Sequence, residues 1–71
     1  MATFILLPGE SATHTHDSES VSTLLKGTAN MIVAGDRVVL ELGKPLAIPA
    51  NVQHTMQNVG NTEARIACLN C

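Results

Sequence analysis

Along this chain, short stretches of apolar and β-branched residues alternate with clusters of glycine, proline and asparagine. Strand-like segments fall at residues 3–7, 21–26, 29–34, 37–42, 46–48, 53–58 and 64–70, most of them rich in the Val, Ile, Leu or Thr that fit a half-buried pleated surface. Between them stand Pro8-Gly9, Lys26-Gly27-Thr28, Ala34-Gly35-Asp36, Gly43-Lys44-Pro45, Pro49-Ala50-Asn51 and Val59-Gly60-Asn61, which preset φ or tolerate its positive values. Turn signals recurring about every 8–12 residues predict an all-β sandwich or barrel. No window long enough for a globular helix carries apolar residues at i, i+3, i+4 and i+7 free of Gly or Pro, so helix is not expected beyond a turn. Serine occupies every second position of residues 18–22, which read as the entry to the following strand. There is no repeat, low-complexity tract or linker.

The length of 71 residues gives one small domain, residues 1–71. Of these 45% are hydrophobic, and Phe4 is the only aromatic, so the core has to be aliphatic and thin. A chain this short buries only about 60% of its unfolded surface. Such cores usually need a disulfide, a metal or a partner chain, and an oligomer, a homodimer in the simplest case, is expected. The net charge of -2 comes without a basic stripe, which argues against nucleic-acid binding. The longest apolar run, residues 4–7, falls far short of the ~20 residues that span a bilayer, and no basic segment precedes it. No membrane association and a cytoplasmic, reducing location are expected. Cys68 and Cys71 are spaced like half a zinc ribbon or a redox pair, but lack a second ligand pair or a strand-to-helix turn. They are expected to be a core Cys68 and a frayed terminal Cys71.

The three histidines stand in two places. His14 and His16 are at i and i+2, which on an extended chain face one side and can converge on one point. His54 lies in a strand-like segment entered from the turn at residues 49–51, which can bring a third imidazole across from another strand. Three neutral ring nitrogens suit Fe, Zn, Mn, Ni or Cu and leave open positions for water or substrate. On spacing alone, three surface histidines explain the pattern equally well.

These residues resemble the two motifs of the cupin superfamily. The first runs Gly, five residues, His-x-His, three or four residues, Glu, six residues, Gly. Here four residues separate Gly9 from His14, His16 follows, and Gly27 closes the motif. The second runs Gly, five residues, Pro-x-Gly, two residues, His, three residues, Asn; Gly43, Pro49, Asn51, His54 and Asn58 stand at those spacings. Only Asn51 departs, and asparagine is the next best residue for a left-handed turn. The short inter-motif stretch, residues 28–42, is similar to that of small prokaryotic members.

The resemblance implies a small antiparallel jelly-roll β-barrel with His14, His16 and His54 converging on a divalent metal. Gly27 and Gly43 would permit turns, Pro49 would set φ, and Asn58 would tie backbone groups through its amide. Because the chain is shorter than most cupins, the barrel is expected to be truncated. Missing strands would come from a partner, through sheet extension or exchange of residues 3–7. The fourth ligand of the pattern, a glutamate, falls on Ser20. Glu19 is one residue away and can replace it only if a bulge precedes the strand or if it sits in the entering loop, since a one-residue slip reverses the facing. Without a carboxylate, the metallated site is cationic and suits anionic or chelating ligands.

Ser20, Ser22 and Met56 are the expected pocket-lining residues, Met56 and Asn58 sharing a face with His54, and Ser22 and Leu24 sharing one with Ser20. None of them is a base, an acid or a partnered nucleophile. Asp17 beside His16 reads as an exposed loop residue or as a carboxylate that orients an imidazole, and Glu41 and Arg65 read as solvated. Three readings follow: a metal-dependent, dioxygenase-like enzyme acting on a small molecule, a non-catalytic module binding a small ligand, and a structural cupin with a degenerate metal site.

Overall fold

A computed structural model describes residues 1–71 as eight strands without a helix. They are β1 (Ala2–Leu6), β2 (Ser11–His14), β3 (Ser20–Lys26), β4 (Ala29–Val33), β5 (Asp36–Val39), β6 (Pro45–Ile48), β7 (His54–Asn58) and β8 (Ala64–Leu69). Seven answer to the hydrophobic pattern, with ends shifted by a residue or a few. The eighth, β2, does not: Ser-Ala-Thr-His offers one small apolar side chain, so its alternation is carried by Ala12 and His14 turned inward and Ser11 and Thr13 turned out. Its outer face is tied to β7 by a 2.9 Å hydrogen bond between the Thr13 and Thr55 hydroxyls.

All ladders are antiparallel and form two four-stranded sheets, β1-β8-β3-β6 and β2-β7-β4-β5. Apart from the β4–β5 hairpin, successive strands cross from one sheet to the other in the order of a jelly roll, whose eight strands are all present in this one chain. The overlooked β2 and very short neighbours fit these eight strands into a short, truncated domain. β1 pairs with β8 of the same chain, Phe4 opposite Ile66.

The facing inner surfaces bury Leu6, Leu24, Ala29, Met31, Leu40, Ile48, Met56, Ala64 and Ile66 as one aliphatic cluster. Only 16 of the 71 residues are buried, which leaves the fold dependent on a few well-placed polar contacts. Asn58, 4% exposed, supplies three of them. Its Nδ2 donates to the Leu6 and Thr62 carbonyls at 2.9 and 2.8 Å, and its Oδ1 accepts from the Gly60 amide at 2.9 Å. Gly27 turns β3 into β4 at φ +83°, where a Cβ would lie 2.5 Å from the Glu63 carbonyl oxygen, so no side chain fits. A bulge between Leu24 and Lys26 lets both Leu25 and Lys26 face solvent before that turn.

Candidate metal centre

In the inner face of the second sheet one row reads His14, His54, Val33 across β2, β7 and β4. His16 lies just beyond β2, and its carbonyl accepts a 2.7 Å hydrogen bond from the Asn51 amide. Asn51 sits at φ 63°, the left-handed conformation asparagine tolerates, so the turn before β7 clasps the segment after β2. The two histidine-bearing segments are thereby joined. Ring centroids lie 5.7 Å apart for His14 and His16, 6.1 Å for His14 and His54, and 5.0 Å for His16 and His54.

His54 is 1% exposed, and its Nδ1 lies 3.0 Å from the Val52 carbonyl oxygen. That oxygen can only accept, so Nδ1 carries the proton and Nε2 keeps its lone pair. Nε2 of His54, Nδ1 of His14 and Nε2 of His16 are all buried without a hydrogen-bond partner. Burial, and then the neighbouring His16 and His54, push the His14 pKa below 6.5 and favour its neutral form. Phe4 of β1 packs on the His14 ring at 4.8 Å. Three close imidazoles, each with one buried ring nitrogen that lacks a partner, fit a divalent cation of borderline softness.

The first sheet faces the histidines with Ser20 and Ser22 of β3 and Cys68 of β8, all buried. Cys68 stands opposite Ser22, with its sulfur 3.8 Å from the hydroxyl. Glu19 is exposed. Glu19 sits in the loop that enters β3, one of the two placements in which it could stand in for the carboxylate missing at Ser20, and its carbonyl accepts from Asn70 Nδ2 at 3.2 Å. Asp17 is exposed, Glu41 pairs with Lys44 at 3.0 Å, and Arg65 donates to Glu63 at 2.6 Å, all on the surface.

The cysteines depart from expectation. Cys68 is buried, but Cys71 is no loose end: the two sulfurs form a disulfide across a Cα–Cα distance of 5.8 Å. A donor nitrogen of His16 and both sulfurs lie within 4.8 Å of one another. Sequence spacing showed the cysteine pair, but that β8 runs beside β3 and aims Cys68 at His16 is a matter of strand order.

Met56 is fully buried in the aliphatic cluster, and Ser20 and Ser22 are buried on the inner face of β3. Leu24, Met31, Ile48 and Ile66 join Met56 in filling the interior. The cavity that does exist, about 130 Å³, lies elsewhere, between β5 and β6, lined by Val38, Val39, Leu40, Lys44, Pro45 and Leu46.

The sequence model of a family described as "Cupin domain" matches residues 2–70. No curated protein matches the chain. Similar solved structures include a predicted oxalate decarboxylase from Thermotoga maritima, 25% identical with a TM-score of 0.81. The TT1209 protein of Thermus thermophilus is also 25% identical, with a TM-score of 0.83. An oxalate oxidase in complex with the substrate analogue glycolate, 24% identical with a TM-score of 0.83, shares the fold. Each alignment covers 93% of this chain but only 59%, 65% and 38%, respectively, of the other.

Proposed function

The chain belongs to the cupin-domain family, and from that premise we propose that His14, His16 and His54 hold a divalent metal, Fe, Zn, Mn or Ni, through which the protein acts on a small anionic molecule. The carrying observation is the set of three buried ring nitrogens without partners. Bound there, the metal would supply Lewis acidity and open coordination positions. The Val52 carbonyl holds the His54 tautomer that leaves Nε2 free, and Phe4 restrains the His14 ring. With no carboxylate among the ligands, the positive charge is uncompensated and favours an anionic or chelating substrate. Ser20 and Ser22 offer hydroxyls and no base, so proton transfer would have to come from the substrate or water. Small carboxylates and thiols are the first compounds to screen under oxygen.

The test is element analysis of the chain purified without chelator, beside His54→Ala. Stoichiometric metal lost in the variant is the expected result. Wild type that neither carries metal nor takes up Fe, Zn, Mn or Ni overturns the reading. A second reading, a ligand-binding or structural barrel without turnover, draws support from the aliphatic filling of the interior beside the histidines. It predicts that metal, where bound, converts none of the screened compounds.

We further propose that two copies pair through the outer face of the first sheet. There Thr3, Ala67, Thr23 and Pro45 form one row and Leu69, Val21 and Ala47 the next, with Ile5 and Leu25 beside them about half exposed. A stable pair buries about 800 Å² on each copy. Sedimentation of wild type against Ile5→Lys reports it: a dimer that becomes monomeric supports the pairing, and a wild-type monomer overturns it.

A further inference from the structure

We propose that Cys68 and Cys71 are a redox-controlled arm of the metal centre, supplying thiolate ligands beside His16 when reduced and withholding them when joined. The inference rests on the metal-site reading above and adds to it a donor set that the three histidines do not include.

Four observations carry it. A donor nitrogen of His16 and both sulfurs lie within 4.8 Å of one another, and the buried Nε2 of His16 has no other partner. Ser20 and Ser22 leave the facing sheet without a carboxylate toward the histidines, and the one strong metal-binding group that sheet presents there is Cys68, directly opposite Ser22. The chain beyond β8 is folded back with purpose: Asn70 at φ 63° reverses it, and its amide is anchored on the Glu19 carbonyl, returning Cys71 to Cys68. Finally, Cys68 is fully buried while Cys71 is exposed, so a reductant has one sulfur to attack and the other is sheltered as ligand.

The chemistry balances with an external dithiol. A thiolate of that reductant attacks the Cys71 sulfur and expels Cys68 as thiolate. The reductant's second sulfur then displaces Cys71, so that two electrons and two protons pass to the pair and the reductant leaves as its own disulfide. Metal binding releases the two thiol protons. His16 belongs to both donor sets, so one cation per chain is held in either state: by imidazoles alone in the disulfide form, by His16 with two sulfurs in the dithiol form. Thiolates select softer ions, so reduction shifts preference toward Zn²⁺ over Mn²⁺. Linkage requires the converse. For each tenfold tighter binding to the dithiol, metal raises the reduction potential of the pair by about 30 mV.

The experiment is anaerobic titration of the full chain with Co²⁺, in disulfide and dithiol forms, read by the thiolate-to-cobalt charge-transfer absorption in the near ultraviolet. Reduced wild type is expected to show that band at one cobalt per chain, with affinity at least about tenfold above the disulfide form. The disulfide form is expected to bind cobalt without the band. Cys68→Ser and Cys71→Ser should each weaken the band, the double variant should abolish it, and all three should still take up cobalt, which separates lost ligation from lost folding. Cobalt bound by reduced wild type without the band overturns the thiolate arm and leaves the histidine site standing. A band that persists in His54→Ala, with no cobalt bound by the disulfide form, supports the thiolate arm and overturns the three-histidine site. No cobalt bound in either form overturns both.

Discussion

At the residue scale, the positions that hold the barrel together are those whose chemistry admits no substitute. Asn58 satisfies two carbonyls and one amide at once, so Asn58→Ala leaves Leu6, Thr62 and Gly60 with unpaired groups in and near the core. A loss of about 2–4 kcal/mol is expected, read as a lower urea midpoint at unchanged slope. Gly27→Ala meets both the left-handed φ and the Glu63 carbonyl and should cost about 1–3 kcal/mol by the same measurement. His14 sets a pH dependence. Its folded pKa is depressed below 6.5 by burial and by His16 and His54, so below that value the unfolded chain binds more protons than the folded one. The metal-free protein should therefore hold its stability above pH 6.5 and lose it as the pH falls from there toward the folded pKa. His14→Gln should flatten the slope of denaturation midpoint against pH in that window. Several of these roles are legible in the spacing of Gly27, Asn51 and Asn58, because φ tolerance and amide chemistry are properties of the residue. The facing of Glu19 is not, since it depends on whether a bulge precedes β3.

At the scale of elements, β2 is the weak member. It is an edge strand whose inward side chains are only Ala12 and His14, so its attachment depends on its ladder to β7 and on what gathers the histidines. Metal should therefore protect β2 more than any other strand. Hydrogen exchange of the Ser11–His14 amides is expected to slow about tenfold or more on loading, while β3 and β8, which make the core, change little. Equal protection everywhere would mean that the histidines brace the barrel as a whole. The same weakness explains why hydrophobic patterning passes over β2. Its partner β7 reads clearly because Met56 and Asn58 alternate with Thr55 and Gln57, and β6 reads as an edge because Pro45 opens it and needs no ladder amide there.

At the scale of the molecule, two thin sheets enclose an aliphatic cluster too small to be generous with stability, so a ligand of the folded state should be felt strongly. Metal at a hundred times its Kd adds about 2.7 kcal/mol. For a domain of this size that is a rise in Tm of roughly 10–20 °C, reversed by chelator, and a scan with and without chelator measures it. The alternation of apolar and polar positions and the turn residues determined by themselves that the chain is all-β, and the resemblance of its two histidine motifs to those of the cupins pointed to a jelly roll. These are local properties, set by side-chain period, φ preference and donor chemistry over a few residues. Tertiary structure alone decided that one chain supplies all eight strands, that the interior beside the histidines is filled, that Glu19 faces solvent, and that Cys68 and Cys71 arrive next to His16. Each of those depends on which strands lie side by side and in what register, and that is settled by pairing between segments far apart in sequence, such as β3 with β8, where Ser22 meets Cys68.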